Sequence, residues 1–600
     1  MNKEKTYPFI SIPAITIVLL GIICFFLAKE YAWKGTDGKG YTRIISSDGK
    51  GYYAYLPNIF INKSIAHQIP DNRFILEING RGVNKYYAGT ATSMLPFYGL
   101  GYGIAKYQGN ELDGYSPPFQ KAISLAGIFY LVIGLIFLMK FLRLYEISEP
   151  VIAFTLLVIV LGTNLLKYAV LHPAMSHIYS WCFIASFLYF SKQLLLTAKI
   201  RDLYIAAFLL GIIVLIRPLN GLIILILPFL AGTWANFKQK LSLFCNVKNI
   251  AFSGFIVLAI VFIQAYLWHI QSGQFLLHSY KDEGFYFSSP QILNVLFSFR
   301  KGLFIYTPIT LLSLLGLVFI ARKSKFQAYS FLVFCAVLVY FISAWWNWYY
   351  GPSFSQRTFV EYYAITGLLL ATAFYSIKSR LYKVLLYTVS VLLVILNLTQ
   401  NYQYHLGILS AWDMNIKKYS YVFLKTSPKY IGCLGGNNDI LLYNPNPKTV
   451  FSGFVNFEKQ DSKMLIEQHN YDKVSNSNVC NYTGREYNFS YTIPVNTGFI
   501  TRRGVFMNMS LDRLELDRKS CTNALVVLGI INAKGENYFY SAFPINEVPS
   551  DKTGKWAKMK YSVEMPAIRA VDDKIVLYFW NRNKQAFYLD NIRIEVISVN

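Results

Sequence analysis

Charge is what this 600-residue sequence has least of: 15% of its residues are Asp, Glu, Lys or Arg, against roughly 25% in an ordinary soluble domain. With 54% hydrophobic and 17% aromatic residues and a mean hydropathy of +0.35, that scarcity excludes a water-soluble cytosolic enzyme. Acidic residues are the scarcer sign, 32 against 57 Lys and Arg. The seven cysteines contain no CxxC pair, so a zinc site of the usual spacing is excluded. There is no internal repeat, no heptad run and no P-loop. The glycines of Gly99-Leu100-Gly101-Tyr102-Gly103 have neither a preceding strand nor the following Lys-Ser/Thr that a phosphate cradle needs.

What the sequence has instead is long apolar runs. About eleven reach or approach the roughly 20 residues that cross a bilayer: 8–28, 121–139, 150–166, 178–193, 202–217, 219–235, 249–270, 303–321, 328–346, 359–376 and 382–399. Pro8 to Ala28 reads as a signal anchor, because its core is long and no small-residue cleavage pattern ends it. Arg217-Pro218 interrupts the stretch 202–235, since Pro lacks an N–H and disfavours helix in the residue before it.

The net charge of +25 follows the same runs. With the amino terminus inside, the even connections carry Lys140 and Arg143, then Lys192, Lys199 and Arg201, then Lys238, Lys240 and Lys248, then Arg322, Lys323 and Lys325, then Lys378, Arg380 and Lys383, with Lys3 and Lys5 at the start. Basic, short inner connections obey the positive-inside rule. The excess is therefore topology rather than a nucleic-acid footprint, and no nucleic acid is expected as a partner. The expected class is a mainly α-helical polytopic membrane protein with a carboxyl-terminal extracytoplasmic β-sandwich. Residues 1–400 form the membrane domain, including a large first outer loop at 29–120, and 401–600 form the tail. In the tail, alternating stretches such as Val526–Ile531, Lys574–Phe579 and Phe587–Ile597 lie between Asn, Gly, Asp and Pro. Its last strand, Tyr588 to Val596, is similar to the closing strand of jelly-roll modules, many of which bind carbohydrate. An extracytoplasmic tail leaves room for one disulfide, for instance Cys480 with Cys521.

Polar residues that a bilayer penalises are the informative ones. Of the fourteen acids before residue 400, ten lie outside by this topology. Asp48 stands out, in Ser46-Ser47-Asp48-Gly49-Lys50-Gly51-Tyr52-Tyr53-Ala54-Tyr55-Leu56-Pro57: two glycines permit close backbone approach and the aromatics, Tyr52 and Tyr53 first, offer faces to a sugar ring. The local alternative is an Asx-turn. A second outer group holds Lys167, Tyr168, His172, Met175, Ser176, His177 and Tyr179. His172 and His177 are poorly spaced for two metal ligands on one helix face, and Pro173 breaks the register. A third is basic against the topological trend: Lys85, Arg217, Arg300, Lys301 and Arg357. Each alone can snorkel to headgroups; converging, they would hold an anion such as a lipid-linked phosphate. The run Trp345-Trp346-Asn347-Trp348-Tyr349-Tyr350 reads as an interfacial belt, and Trp346 and Trp348 also suit a sugar or polyprenyl path.

Over roughly residues 8–400 the chain resembles the GT-C superfamily of polytopic glycosyltransferases that use lipid-phosphate sugars, particularly a Bacteroidetes group related to dolichyl-phosphate-mannose transferases. The resemblance rests on the order of Asp48-Gly49-Lys50-Gly51-Tyr52-Tyr53-Ala54-Tyr55-Leu56-Pro57, Asn84-Lys85-Tyr86, Leu95-Pro96-Phe97, Asp113-Gly114-Tyr115-Ser116, Met175-Ser176-His177, Arg217-Pro218, Lys301-Gly302-Leu303-Phe304 and Gly351-Pro352-Ser353-Phe354-Ser355-Gln356-Arg357. It implies a bacterial inner-membrane hexosyl- or pentosyltransferase with an outward-facing site. The donor would be a polyprenyl-phosphate-linked sugar and the acceptor an envelope glycan, lipid or protein. Asp48 would be general base in an inverting displacement, Lys85, Arg300, Lys301 and Arg357 would bind the donor phosphate, and Tyr52, Tyr53, His177, Trp346 and Trp348 would line the substrate. Many relatives carry two adjacent acids where Asp48 is followed by Gly49, so no cofactor is assigned and a divalent cation is left open. The alternatives are a flippase for a lipid-linked saccharide, weakened by the absence of duplicated halves, and a non-enzymatic glycan-binding scaffold.

Overall fold

The structure, a computed structural model, describes residues 11–35, 38–65, 74–78, 80–244, 246–280, 283–441, 447–458, 471–474, 477–500, 504–516, 524–549 and 553–598. Lys3, Lys5 and Cys521 lie outside these residues. The chain forms two compact units, Met1–Asn401 and Tyr402–Asn600.

The first unit is helical. Among the described residues five helices are long and apolar enough to cross a membrane: Ile12–Lys34, Pro117–Arg143, Val247–Ser272, Lys325–Ala344 and Arg380–His405. A sixth span results if Pro218–Ala231 and Trp234–Ser242, bent by 119°, count as one. The remaining apolar runs carry shorter, more polar or broken helices: Glu149–Leu161, His177–Thr197, Ile200–Ile216 and Tyr363–Ser376. The run 303–321 is split into Leu303–Tyr306, Ile309–Ser313 and Leu315–Lys323, with Pro308 at the first break, where the missing N–H stops the ladder. Arg217 is extended (φ −152°, ψ 113°) and closes the helix Ile200–Ile216 just before Pro218 opens a 3₁₀ segment. The stretch 29–120 is more than loop: it holds the 20-residue helix Gly89–Gln108 and a two-stranded hairpin, β1 (Ile75–Ile78) with β2 (Arg81–Asn84).

Small residues let these helices touch. Gly134 lies directly under the Trp181 ring and Gly316 against the Leu369 carbonyl, leaving no room for a Cβ at either position. Close approach of this kind is how helices associate where no water drives them together.

The second unit is an antiparallel β-sandwich. Its strands are β3 (Lys448–Val455), β4 (Tyr471–Val474), β5 (Ser477–Asn481), β6 (Ser490–Pro494), β7 (Val505–Glu515), β8 (Ala524–Ile531), β9 (Asn537–Pro544), β10 (Trp556–Met565), β11 (Lys574–Asn581) and β12 (Phe587–Ser598). One sheet runs β10-β7-β12-β5-β4, with β3 also paired to β12; the other runs β6-β11-β8-β9. Alternation along β7, β10 and β12 sends Met507, Met509, Leu511, Met559, Tyr561, Val563, Ile592, Ile594 and Val596 inward to meet Val526, Leu528, Ile575, Leu577 and Phe579 of the facing sheet, as the period of two requires. Cys480 is buried in this core, its sulfur accepting from Asn488 Nδ2 at 3.2 Å.

Candidate functional site

The polar residues of the first unit gather around two carboxylates, one half-buried and one buried. Asp48 opens the short helix Asp48–Tyr53 after Ser47, whose φ of 51° turns the chain. Its carboxylate is directed at tertiary partners: Arg357 Nη2 donates to Oδ2 at 2.8 Å, and the Tyr86 hydroxyl is a second hydrogen-bond partner. The two glycines seat this helix. A Cβ on Gly49 would stand 2.8 Å from that of Ala174, and Gly51 lies against the Tyr86 ring. Asn84 ties the region together, donating to the Gly51 carbonyl at 2.8 Å and accepting from the Tyr86 N–H at 3.0 Å. The Tyr52 ring packs on Tyr86 with centroids 4.3 Å apart. Lys85 donates to Glu283 at 2.5 Å and stands 5.0 Å from the centre of the Tyr280 ring.

Burial alone would push the Asp48 carboxyl up. The charge of Arg357, hydrogen bonds from Tyr86 and Arg357, and the charge of Lys85 outweigh it and hold the group below the ordinary carboxylate range. Burial likewise opposes the charge on Arg357, yet Asp48 keeps the guanidinium firmly protonated. The pair is therefore ionised at neutral pH.

Glu361 is the second carboxylate, completely buried. Its Oε1 accepts from Arg217 Nη1 at 3.0 Å and lies 2.9 Å from His177 Nδ1; as a guanidinium-paired carboxylate accepts, Nδ1 carries the hydrogen. His177 also meets the edge of Tyr168, centroids 4.6 Å apart. The extended Arg217, set at the helix break, thus reaches Glu361 across 144 residues of sequence. Four buried polar atoms on one short stretch have no hydrogen-bond partner: Gln356 Oε1, Arg357 Nε, Thr358 Oγ1 and Glu361 Oε2. Buried polar groups are nearly always satisfied, so such a concentration marks a place where a polar ligand or water completes the bonding.

Of the residues expected from sequence, Asp48, Tyr52, Lys85 and Arg357 form one cluster, and His177 belongs to the Glu361 group. Lys301 is buried, its Nζ donating to the Ser353 carbonyl; burial and the charges of Arg300 and Arg357 push its pKa well down. Arg300 lies over the Tyr349 ring at 4.8 Å. Tyr53 faces elsewhere: its hydroxyl donates to the Gly114 carbonyl at 2.5 Å and its ring lies between Tyr98 and Tyr115. Trp348 is buried edge-on to Tyr349, and the backbone N–H of Trp346 donates to the Gly284 carbonyl at 2.9 Å. Glu361 and Tyr280 are the residues sequence reasoning passed over. Glu361 had a usable signal, a carboxylate inside an apolar run. Among the described residues no group of three His, Cys, Asp or Glu stands close enough to hold a metal ion.

No protein-family model matches the sequence, and no curated protein matches it. Among solved structures, the chain is similar to ArnT from Cupriavidus metallidurans, captured with undecaprenyl phosphate (14% identity, 70% of each chain, TM-score 0.44). It is similar to the archaeal oligosaccharyltransferase AglB from Archaeoglobus fulgidus, in complex with an inhibitory peptide and a dolichol-phosphate (12% identity, 69% of this chain and 60% of that one, TM-score 0.38). A third is the arabinosyltransferase EmbB from Mycobacterium smegmatis (10% identity, all of this chain and 66% of that one, TM-score 0.39). These neighbours are GT-C glycosyltransferases. At such identities and TM-scores the likeness assigns no activity to this chain.

Proposed function

We propose that the chain is a bacterial inner-membrane glycosyltransferase that moves a sugar from a polyprenyl-phosphate donor to a hydroxyl of an envelope glycan, lipid or protein. The observation that carries this reading is the Asp48–Arg357 pair, a half-buried ionised carboxylate bonded to a guanidinium with the charge of Lys85 acting on it. A carboxylate that stays ionised can accept the proton of an acceptor hydroxyl as that oxygen attacks the anomeric carbon. A departing lipid phosphate needs charge stabilisation more than a proton, and a guanidinium fork suits it.

In this scheme Arg357 serves both groups. It holds Asp48 ionised before the donor arrives and turns toward the phosphate as negative charge develops there. Lys85 adds a second cation. Glu361 and His177 fix Arg217, and the unpartnered atoms of 356–361 complete the polar lining. The donor tail would lie in the lipid, with the site and the β-sandwich on the periplasmic side and the amino terminus in the cytoplasm, as the basic inner connections support.

The test is complementation of a deletion strain with wild-type or Asp48→Asn protein at matched membrane levels, followed by mass spectrometry of envelope glycans and polyprenyl-phosphate sugars. The expected result is a missing hexose or pentose together with accumulated lipid donor in the variant strain. Normal glycans there would overturn the role of Asp48.

A further inference from the structure

The outward face of the larger tail sheet carries a groove of about 460 Å³ that owes nothing to the cluster around Asp48. Register places two ranks of side chains across four neighbouring strands. In the first, Phe454 of β3 pairs with Arg593 of β12, Arg593 with Ser510 of β7, and Ser510 with Lys560 of β10. In the second, Glu595 of β12 pairs with Asn508 of β7, and Asn508 with Ser562 of β10. All these positions alternate with inward core residues, so they share the outer face. At the usual strand spacing the first rank is about 14 Å long and the second about 10 Å, and the ranks lie about 7 Å apart, the reach of a short oligosaccharide.

The chemistry of the ranks differs. The first holds an aromatic ring and two cations; Phe454 is 50% exposed, and the Arg593 guanidinium sits over it at 4.8 Å, which holds the fork in place. Arg593 and Lys560 are one strand apart, about 10 Å, and neither is in an ion pair among the described residues. The second holds an amide, a hydroxyl and a carboxylate: Ser562 Oγ donates to Asn508 Oδ1 at 2.9 Å, and Glu595 accepts from Thr449 Oγ1 at 2.8 Å. A flat ligand with carboxylates along one edge and hydroxyls along the other matches both ranks.

We propose that this face binds an acidic oligosaccharide, with uronate carboxylates on Arg593 and Lys560, a sugar ring against Phe454, and hydroxyls on Asn508, Ser562 and Glu595. Ring stacking supplies contact that a bare polyanion lacks, and the cations discriminate against neutral sugars.

The test uses the purified full-length chain in lipid nanodiscs, with galacturonate oligosaccharides and neutral galactose oligosaccharides of equal length as probes, followed by calorimetry. The acidic probe should bind at least tenfold more tightly than the neutral one, and added salt should weaken it. Phe454→Ala and Arg593→Ala should each weaken it at least tenfold, and Lys560→Ala by a smaller factor. These side chains point away from the core, so melting temperature and any transfer activity should be unchanged. Equal binding of the neutral probe, equally strong competition by polyglutamate, undiminished binding in Phe454→Ala and Arg593→Ala, or no binding at all would each overturn the proposal. Because nothing here rests on Asp48, Asp48→Asn should bind the acidic probe like wild type, and a failure of this test leaves the transfer reading as it stands.

Discussion

Replacing Asp48 with Asn separates the carboxylate's part in the ion pair from its proposed part as general base. Its side chain is 24% exposed and that of Arg357 15%, so removing the charge strands a largely buried guanidinium. Breaking a fully buried pair costs about 3–5 kcal/mol, and the residual exposure argues for about 3 kcal/mol here. For a unit of this size that corresponds to a drop in Tm of about 3–6 °C. Adding Arg357→Gln removes the stranded charge and leaves two amides that can bond to each other, so the double variant should recover most of the lost stability. Turnover should not follow. Loss of a general base lowers it by about 100-fold or more, and the double variant lacks both the proposed base and the proposed phosphate cation. The assay pairs thermal unfolding of purified protein with transfer of labelled sugar from polyprenyl phosphate in membranes. An Asp48→Asn protein with wild-type turnover, or a double variant less stable than the single one, would refute the reasoning.

The pH dependence carries a defined sign. The folded Asp48 pKa lies below the ordinary value, so stability from the pair is complete above about pH 4 and is lost only as pH falls through the lower folded value. Wild-type activity should therefore show no loss from Asp48 protonation between pH 5 and 7. In Arg357→Gln burial prevails and the acid limb of the pH–rate profile should move upward. Glu361→Gln should lower turnover about tenfold or more and reduce Tm, because Arg217 and His177 then face a neutral amide in place of the charged acceptor that orients them; unchanged kinetics would assign Glu361 to packing alone. Gly51→Ala should displace the Tyr86 ring and lower turnover severalfold at near-normal expression, measured in the same membrane assay. Tyr53→Phe should cost about 1 kcal/mol in unfolding through the lost bond to Gly114 and leave turnover intact.

The strands of the tail were legible where alternation is strict: the stretches at 526, 574 and 587 became β8, β11 and β12 within two residues at each end. The short strand β5, with Val479 and Cys480 adjacent and both buried, gave no such pattern, and Tyr471-Asp472-Lys473-Val474 is too short to show one. Among the helices, hydropathy marked the single long spans and failed at 303–321, where Pro308 and local packing divide an unbroken apolar run. It passed over Gly89–Gln108 because four glycines and Pro96 lie in that helix. The site was legible on one side only. Asp48, Lys85 and Arg357 announce themselves as charges beside glycines or against the topological trend. Glu361 looks like a stray acid until the fold brings Arg217 and His177, 144 and 184 residues distant, onto one oxygen.

The place of β12 in the larger sheet has a bearing on how the tail is assembled. It pairs with β7 along one edge and with both β3 and β5 along the other, so Ile592 meets Val455 from the far end of the domain. A growing chain reaches every one of those partners before it reaches Phe587. Until then β7 can pair with β10, but β3 and the β4–β5 pair have nothing to join, and their edges stand open to other chains. Sheet closure is thus deferred to the last dozen residues of the domain, a non-local step of the kind that folds slowly, and a nascent chain stalled before residue 587 would present the cell with an aggregation hazard.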